Sequence, residues 1–485
     1  MITVTVNEPK FEYDIHSLVK AFYPESEVKV INNRDDISEN ASVFSVLYGE
    51  NSFSFFEDGT ELLRVPVKPG STRTEEKNAV KRLVYLSLSK KTGKTLDWGD
   101  LTGIRPTKIA RKLLDEGKSD DEIFAYMKET YLVGEEKGRL AIDIAKRERE
   151  ILSPLRLSEG GYSLYIGIPF CPTTCLYCSF TSNPIAAWKT RTKEFLDALQ
   201  KEIEYTGKAR KNGILDSIYI GGGTPTSLEA SEMDRLLCLI GDNFDVSKTL
   251  EFTVEAGRPD SITLEKLKVL KKHGVSRISV NPQTMNDETL KLIGRRHSTE
   301  DFLKAFNLAR EEGFDNINTD IILGLPGEGE KEVSHTIEEL VKLSPDSLTV
   351  HSLAIKRASA LSEWILKNGY DTMVNTEATM KIAAEGAKAL GMKPYYLYRQ
   401  KNMAGNFENT GYARDGAYGI YNILIMEELE SIAALGPGSV SKIITSEGKL
   451  VRDDNVKDVN NYIERIDEMI ERKKALFAME REMKG

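Results

Sequence analysis

Residues 163–180 read SLYIGIPFCPTTCLYCSF: an apolar, strand-like run up to Phe170, then Cys171, Cys175 and Cys178 at Cys-x3-Cys-x2-Cys spacing. Three of the chain's four cysteines fall in this one stretch. Three thiolates on one loop suit a soft metal centre, either an iron–sulfur cluster or zinc. Zinc needs a fourth nitrogen or sulfur ligand at comparable spacing. His16, His273, His297, His335 and His351 are all distant in sequence, and Cys238 sits inside the apolar run LLCLI, where a core position is expected. The spacing therefore leaves one coordination position for a ligand that is not protein. The competing reading is three ordinary thiols, reduced or buried, since free cysteine is a common small core residue.

A chain of 485 residues exceeds one small core, and two or three domains are expected. The boundaries read as 1–155, an α+β accessory domain; 160–355, the segment built around the cysteines; and 356–485, a C-terminal α/β extension. No apolar run approaches the ~18–20 residues that span a bilayer, so no stable membrane insertion is expected. The start, MITVTVNEPKFEYD, lacks the basic and apolar regions of a secretory signal. Clustered thiols without a disulfide framework point to a reducing compartment, the cytoplasm. A net charge of −9 argues against a general nucleic-acid binder.

Residues 1–70 read as strands, with a hairpin of 43–48 and 52–56 around Gly49-Glu50-Asn51. From 75 to 150 the apolar spacing becomes helical, with one helix ending on Gly93 and segments 105–117 and 119–150 amphipathic. The phrase DWGDLTGIRPTKIARKLL (97–114) reads as a loop followed by a helix, with Pro106 near its first turn. Arg105, Lys108, Arg111 and Lys112 make one side of that helix positive. That side is either solvated or in contact with an anionic ligand or another part of the protein.

Between 160 and 355 the pattern is regular. Apolar runs at 163–169, 216–221, 251–256, 277–282, 317–323 and 347–353 alternate with helical segments at 184–206, 228–240, 263–273, 287–294, 300–312 and 330–343. Such alternation predicts βαβ units and a parallel sheet, here a (β/α)6 partial barrel. In barrels of this kind chemistry gathers at the C-terminal strand ends. The ends here carry the cysteine loop, GGGTPT (221–226), Glu255, Gln283 and, within strand five, Asp320. Glycines let backbone approach a ligand, and their N–H groups can hold a carboxylate.

The motifs YIGIPFCPTTCLYCSF, GGGTPT, VEAGRPD, VNPQTMND, LIGRRHS and NTDIILGLPGE, in this order, resemble the radical S-adenosylmethionine (SAM) superfamily and, within it, the oxygen-independent coproporphyrinogen III oxidase-like family. LYRQKNMAGNFENTGYA (397–413), ALGPGSVS (434–441) and DWGDLTGIRPTKI are most similar to its longer coproporphyrinogen dehydrogenase branch, of the HemZ type. The resemblance implies a radical SAM partial barrel in which Cys171, Cys175 and Cys178 ligate a [4Fe-4S] cluster whose open iron chelates SAM. It implies SAM contacts from Tyr165, Gly222, Gly223, Thr224, Glu255, Gln283, Arg295 and Asp320, with Tyr177 in the aromatic position beside the last cysteine. It implies an oxidoreductase of heme and porphyrin biosynthesis that decarboxylates coproporphyrinogen III to protoporphyrinogen IX, with a reductase- or flavodoxin-type electron donor. A heme chaperone on the same fold, or a radical SAM enzyme with another substrate, is the alternative.

Two positions depart from the family pattern. Gly167 stands where the family usually has histidine, and Phe180 where the decarboxylase has a fourth cysteine. Beyond the barrel, helices are expected at 361–368 and 376–390, a strand at 394–398, and a charged helix over 456–484. A loop at 399–413 carries Arg399, Lys401, Asn402, Asn406 and Asn409, which either close over an anionic substrate or serve the surface. His351, at the end of strand six, faces the site if the strand register holds, although a place in the core or behind the site is the expectation.

Overall fold

A computed structural model describes residues 1–32, 42–155, 161–179, 182–356, 359–369, 372–400, 407–445 and 449–484. Phe180, Lys401, Asn402 and Asn406 lie outside the described residues. The central sheet has six parallel strands in consecutive order: Gly161–Ile168, Ile214–Gly222, Glu251–Gly257, Arg277–Val280, Ile317–Leu323 and Ser347–Ser352. Helices Thr192–Ala209, Ala230–Asn243, Leu264–Lys272, Thr299–Glu311 and Glu330–Leu343 alternate with them. The strands read as nearly unbroken apolar runs because crossover helices cover their outer face and side chains fill the inner one. Leu164, Ile166, Ile218, Ile278, Ile317 and Leu348 are fully buried in one continuous core with Phe195, Leu237, Phe306 and Leu340 from the helices.

The sheet reaches further than the sequence pattern predicted. Ser431–Leu435 pairs parallel to the first barrel strand, and Val440–Ile444 and Leu450–Asp454 continue antiparallel from it. On the other edge Asn409–Ala413 pairs antiparallel with the sixth strand and Lys393–Tyr398 follows. The result is one sheet of eleven strands among the described residues. Part of the expected loop 399–413 is thus a strand, and the helix Ile420–Glu427 was not anticipated either. The helix expected over 456–484 is two, Val459–Glu464 and Ile466–Lys484.

At the N-terminus the strands Val28–Ile31, Ile2–Val6, Ser42–Tyr48, Ser52–Glu57 and Thr60–Pro66 form a second sheet, in that order, with the predicted hairpin between the third and fourth. The reading of 1–70 as strands needs one correction. Glu12–Phe22 is a helix, because Ile15, Leu18, Val19 and Phe22 recur at helical spacing and bury one face. Helix Arg73–Thr92 closes on Gly93 at φ 69°, as expected of a left-handed C-cap. Helices Thr107–Asp115, Asp120–Tyr131 and Glu135–Leu152 follow, and their core includes Trp98 and, from the C-terminal part, Leu397.

The loop 97–107 is where this N-terminal part meets the rest of the chain. Trp98 Nε1 and Lys137 Nζ donate to the two oxygens of buried Glu408, at 2.8 and 2.7 Å. Arg105 donates to Met426 O at 2.8 Å and pairs with Glu428 at 2.6 Å, with Lys108 3.5 Å from the same carboxylate. Arg105 and Lys108 of the basic side are therefore engaged by the protein itself, while Lys112 is exposed to solvent. Arg399 is buried, donating to Leu101 O at 2.6 Å and lying over the Trp98 ring, so it braces this loop.

Candidate functional site

The cysteine loop leaves the first barrel strand through Phe170–Cys171, which pairs with Asn183–Pro184. The segment after helix Asp287–Leu292 and the start of helix Ala360–Asn368 pin it by hydrogen bonds. Leu176 N donates to Ile293 O at 2.9 Å, Leu361 N to Leu176 O at 2.9 Å, and Thr173 Oγ1 to Gly294 O at 3.1 Å. Two of the sulfurs receive side-chain donors: Thr224 Oγ1 lies 3.5 Å from Cys171 Sγ, and Arg258 Nη1 lies 3.7 Å from Cys175 Sγ. Burial pushes the Cys171 thiol up to about 11.

The glycine motif comes within touching distance of this loop. Gly223 N donates to Ile168 O at 2.7 Å and Thr224 N to Phe170 O at 2.6 Å. Gly222 has φ 104°, open to glycine alone, and a Cβ on Gly223 would sit 2.5 Å from Phe170 O. Only a chain without side chains at these two positions packs so closely on the cysteines.

A cavity of about 570 Å³ opens beside them, and Cys171, Cys175, Cys178, Tyr177, Gly222, Gly223, Thr224, Glu255, Gln283, Arg295 and Asp320 all line it. Eleven of the twelve residues singled out in the sequence thus meet at one place. The polar ones are held by each other. Tyr219 OH donates to Glu255 at 2.5 Å, and burial pushes the Glu255 carboxyl up to about 7. Asp320 stays below the ordinary carboxylate value because His351, Asn318 and Thr349 outweigh its burial. Asn281 Nδ2 donates to Asp320 at 3.0 Å, and Arg295 Nη1 donates to the Asn281 carbonyl at 2.7 Å. Arg295 Nη2 reaches Tyr177 OH at 3.4 Å. Gln283 adopts φ 68°, a left-handed conformation costly for this residue type, and its Oε1 is buried with no partner among the described residues.

Tyr165 is placed differently. It is not among the residues lining the cavity; its ring stacks with Tyr219 and Tyr421, at 6.3 and 6.0 Å between centroids. At Gly167 a Cβ would meet the Tyr165 ring at an ordinary 3.4 Å, so a side chain could be seated there. His351 does face the cavity, with Nε2 3.6 Å from Asp320. Sequence reasoning passed over Arg258, Asn281, Asn318, Tyr396 and Tyr398, which also line it. The phrase VEAGRPD held a usable signal, an arginine two residues before an aspartate at a strand end. Asn409, expected on a loop, is buried on a strand and accepts from Ser352 N at 2.8 Å. Cys238, expected in the core, is exposed on the outer face of its helix.

Three sulfurs on one short loop, opening onto a cavity lined by both polar and apolar groups, suit a cluster with one open iron and a small polar ligand. The site and fold are those of a radical SAM protein, and residues 165–340 match the radical SAM superfamily. Its cofactors are a [4Fe-4S] cluster and SAM. The chain is 44% identical over 428 residues to the oxygen-independent coproporphyrinogen-III oxidase-like protein HemZ of Bacillus subtilis (strain 168), covering 86% of this chain and 85% of that one. It therefore belongs to the oxygen-independent coproporphyrinogen-III oxidase-like family. Over 195 residues it is 40% identical to the heme chaperone HemW of Bacillus subtilis (strain 168), 40% of this chain and 51% of that one. The solved coproporphyrinogen III oxidase (HemN) of Escherichia coli shares the fold, with TM-score 0.53 and 23% identity over 66% of this chain and 72% of that chain. Among the described residues no helix is long and apolar enough to cross a membrane.

Proposed function

We propose that this chain is a cytoplasmic, SAM-dependent oxidative decarboxylase of coproporphyrinogen III. In this reading each of two propionates loses a hydrogen atom from the carbon next to the pyrrole ring to the 5′-deoxyadenosyl radical, then CO2 and one electron, taken up by an external one-electron acceptor, leaving a vinyl group. When bound, the reduced cluster and SAM supply the hydrogen-abstracting 5′-deoxyadenosyl radical, with the reducing electron arriving from a reductase- or flavodoxin-type donor. Cys171, Cys175 and Cys178 would hold the cluster. Gly222, Gly223 and Thr224 would offer backbone N–H groups and close approach to SAM's methionine end. Glu255, Gln283, Arg295 and Asp320 would fix its remaining polar groups, with Tyr177 beside the cluster.

The observation that supports the reading most is the continuity of the cavity. It runs from the cysteines across the strand ends to His351, Tyr396, Tyr398 and Asn409, leaving a wall beyond the SAM contacts for a substrate. A radical must meet its target at near-contact distance, and one cavity joining the cysteines to that wall allows the approach. A second reading, a heme chaperone, draws on the 40% identity to HemW across the barrel.

One anaerobic assay separates them: reconstituted protein, reductant, SAM and coproporphyrinogen III, with porphyrin products resolved by fluorescence chromatography. SAM-dependent protoporphyrin formation is expected. Stoichiometric heme binding together with 5′-deoxyadenosine release but no vinyl product would overturn the decarboxylase in favour of the chaperone.

A further inference from the structure

We propose that Arg258 is a positioning residue for the cluster, holding the middle cysteine of the loop and setting the cluster's reduction potential. Arg258 follows the third barrel strand and is buried. Its guanidinium bridges two groups. Nε and Nη2 pair with the two carboxylate oxygens of Asp260 at 3.0 and 2.8 Å. Nη1, on the opposite edge, donates to Thr173 Oγ1 at 2.8 Å, Thr173 O at 3.2 Å and Cys175 Sγ at 3.7 Å. The fork geometry of arginine allows this; a lysine ammonium cannot satisfy a bidentate carboxylate and a sulfur at once.

The consequence is electrostatic as well as mechanical. Reduction adds a negative charge to the cluster and its thiolates. An N–H donor and a positive charge beside one sulfur stabilise the reduced form, raising the potential, and burial keeps solvent from screening the effect. Asp260 opposes it with a countercharge on the far side of the guanidinium. The pair therefore acts as an oriented dipole, positive end toward Cys175. The inference holds whichever tetrapyrrole the protein handles, because it concerns the cluster alone.

Potentials of the reconstituted [4Fe-4S] protein, measured by EPR-monitored redox titration with iron and sulfide analysis, test it. Arg258→Gln is expected to lower the potential and Asp260→Asn to raise it, each shifting the reduction equilibrium about tenfold, or ~59 mV for one electron, with iron content retained. A purely structural arginine predicts no such opposition of sign. Potentials that are unchanged, or that move in the same direction in both variants, overturn the proposal. Should Arg258→Gln lose its iron, Asp260→Asn decides alone: a raised potential supports the proposal, and an unchanged or lowered one refutes it. Loss of iron from both, in protein that is still folded, also refutes it, leaving only a holding role.

Discussion

Replacing Gly223 with alanine tests whether the contact between the glycine motif and the cysteine loop is as tight as described. The added Cβ would lie 2.5 Å from Phe170 O and 3.0 Å from both Cys171 Sγ and Ile168 O. Ordinary contact starts near 3.4 Å, so the Phe170 carbonyl must retreat by about 0.9 Å, and backbone cannot rotate away as a side-chain tip can. That retreat strains two hydrogen bonds, Gly223 N to Ile168 O and Thr224 N to Phe170 O. At about 0.5–1.5 kcal/mol each, the expected loss is about 1–3 kcal/mol. Cys171 directly follows Phe170 and moves with it, and a displacement of this size costs about a hundredfold in a positioned reaction. The assay combines thermal melting of the apoprotein, iron and sulfide content after reconstitution, and 5′-deoxyadenosine release. Gly221→Ala is the control, because its Cβ would meet side chains, the Tyr219 ring at 2.9 Å and the Glu255 carboxyl at 3.1 Å, which can adjust. It should retain iron while weakening SAM binding. If Gly223→Ala melts, loads iron and cleaves SAM like the parent, the packing argument is wrong.

Three further outcomes are expected. Alanine at Cys171, Cys175 or Cys178 should abolish cluster loading and SAM cleavage together, and full iron content in any of the three would contradict the ligand assignment. Lys473→Met removes the counter-charge 2.7 Å from the fully buried Glu202, leaving it only the donors Gly436 N, Asn455 and Tyr462, and should cost about 3–5 kcal/mol in denaturant unfolding; a cost below ~1 kcal/mol would show the pair to be dispensable. Glu148 is buried and, with the Glu427 carboxylate nearby, is held above its ordinary value of 4.5. A carboxyl raised in the folded state contributes most below that ordinary value, and its contribution is lost as pH climbs toward the folded value. Glu148→Gln should therefore gain Tm relative to the parent as pH rises from 5 to 9, and a gap that stays constant would refute the assignment.

The barrel was legible because parallel strands are apolar along their whole length and stop at polar strand ends. The run 317–323 matches the strand residue for residue, with Asp320 at its middle, and Gln283 lies just past the fourth strand, on the side where a barrel keeps its chemistry. Other features depend on partners that no local pattern reveals. Ser431–Leu435 is short and alanine-rich, and it becomes a strand because the first barrel strand offers it an open edge. Cys238 sits within an apolar run, yet at 100° per residue it points away from Leu236, Leu237 and Ile240, which face the core. Arg258 reads as an ordinary loop arginine until Thr173 and Cys175, more than eighty residues earlier, are placed against it.

The same dependence on distant partners gives the N-terminal part a physical place in the site. The strand Lys393–Tyr398 presents Tyr396 and Tyr398 to the cavity, while Leu397, pointing the other way, is buried in the core with Trp98, Ala141 and Ile144. Just before the strand Asn409–Ala413, Glu408 is fixed by Trp98 and Lys137, and Asn409 next to it lines the cavity. Alternation along a strand converts packing on one face into side-chain position on the other. The cavity's far wall therefore takes its position from residues 97–145 as much as from the barrel, and a change at Trp98 or Lys137 would move that wall without touching a single cofactor contact.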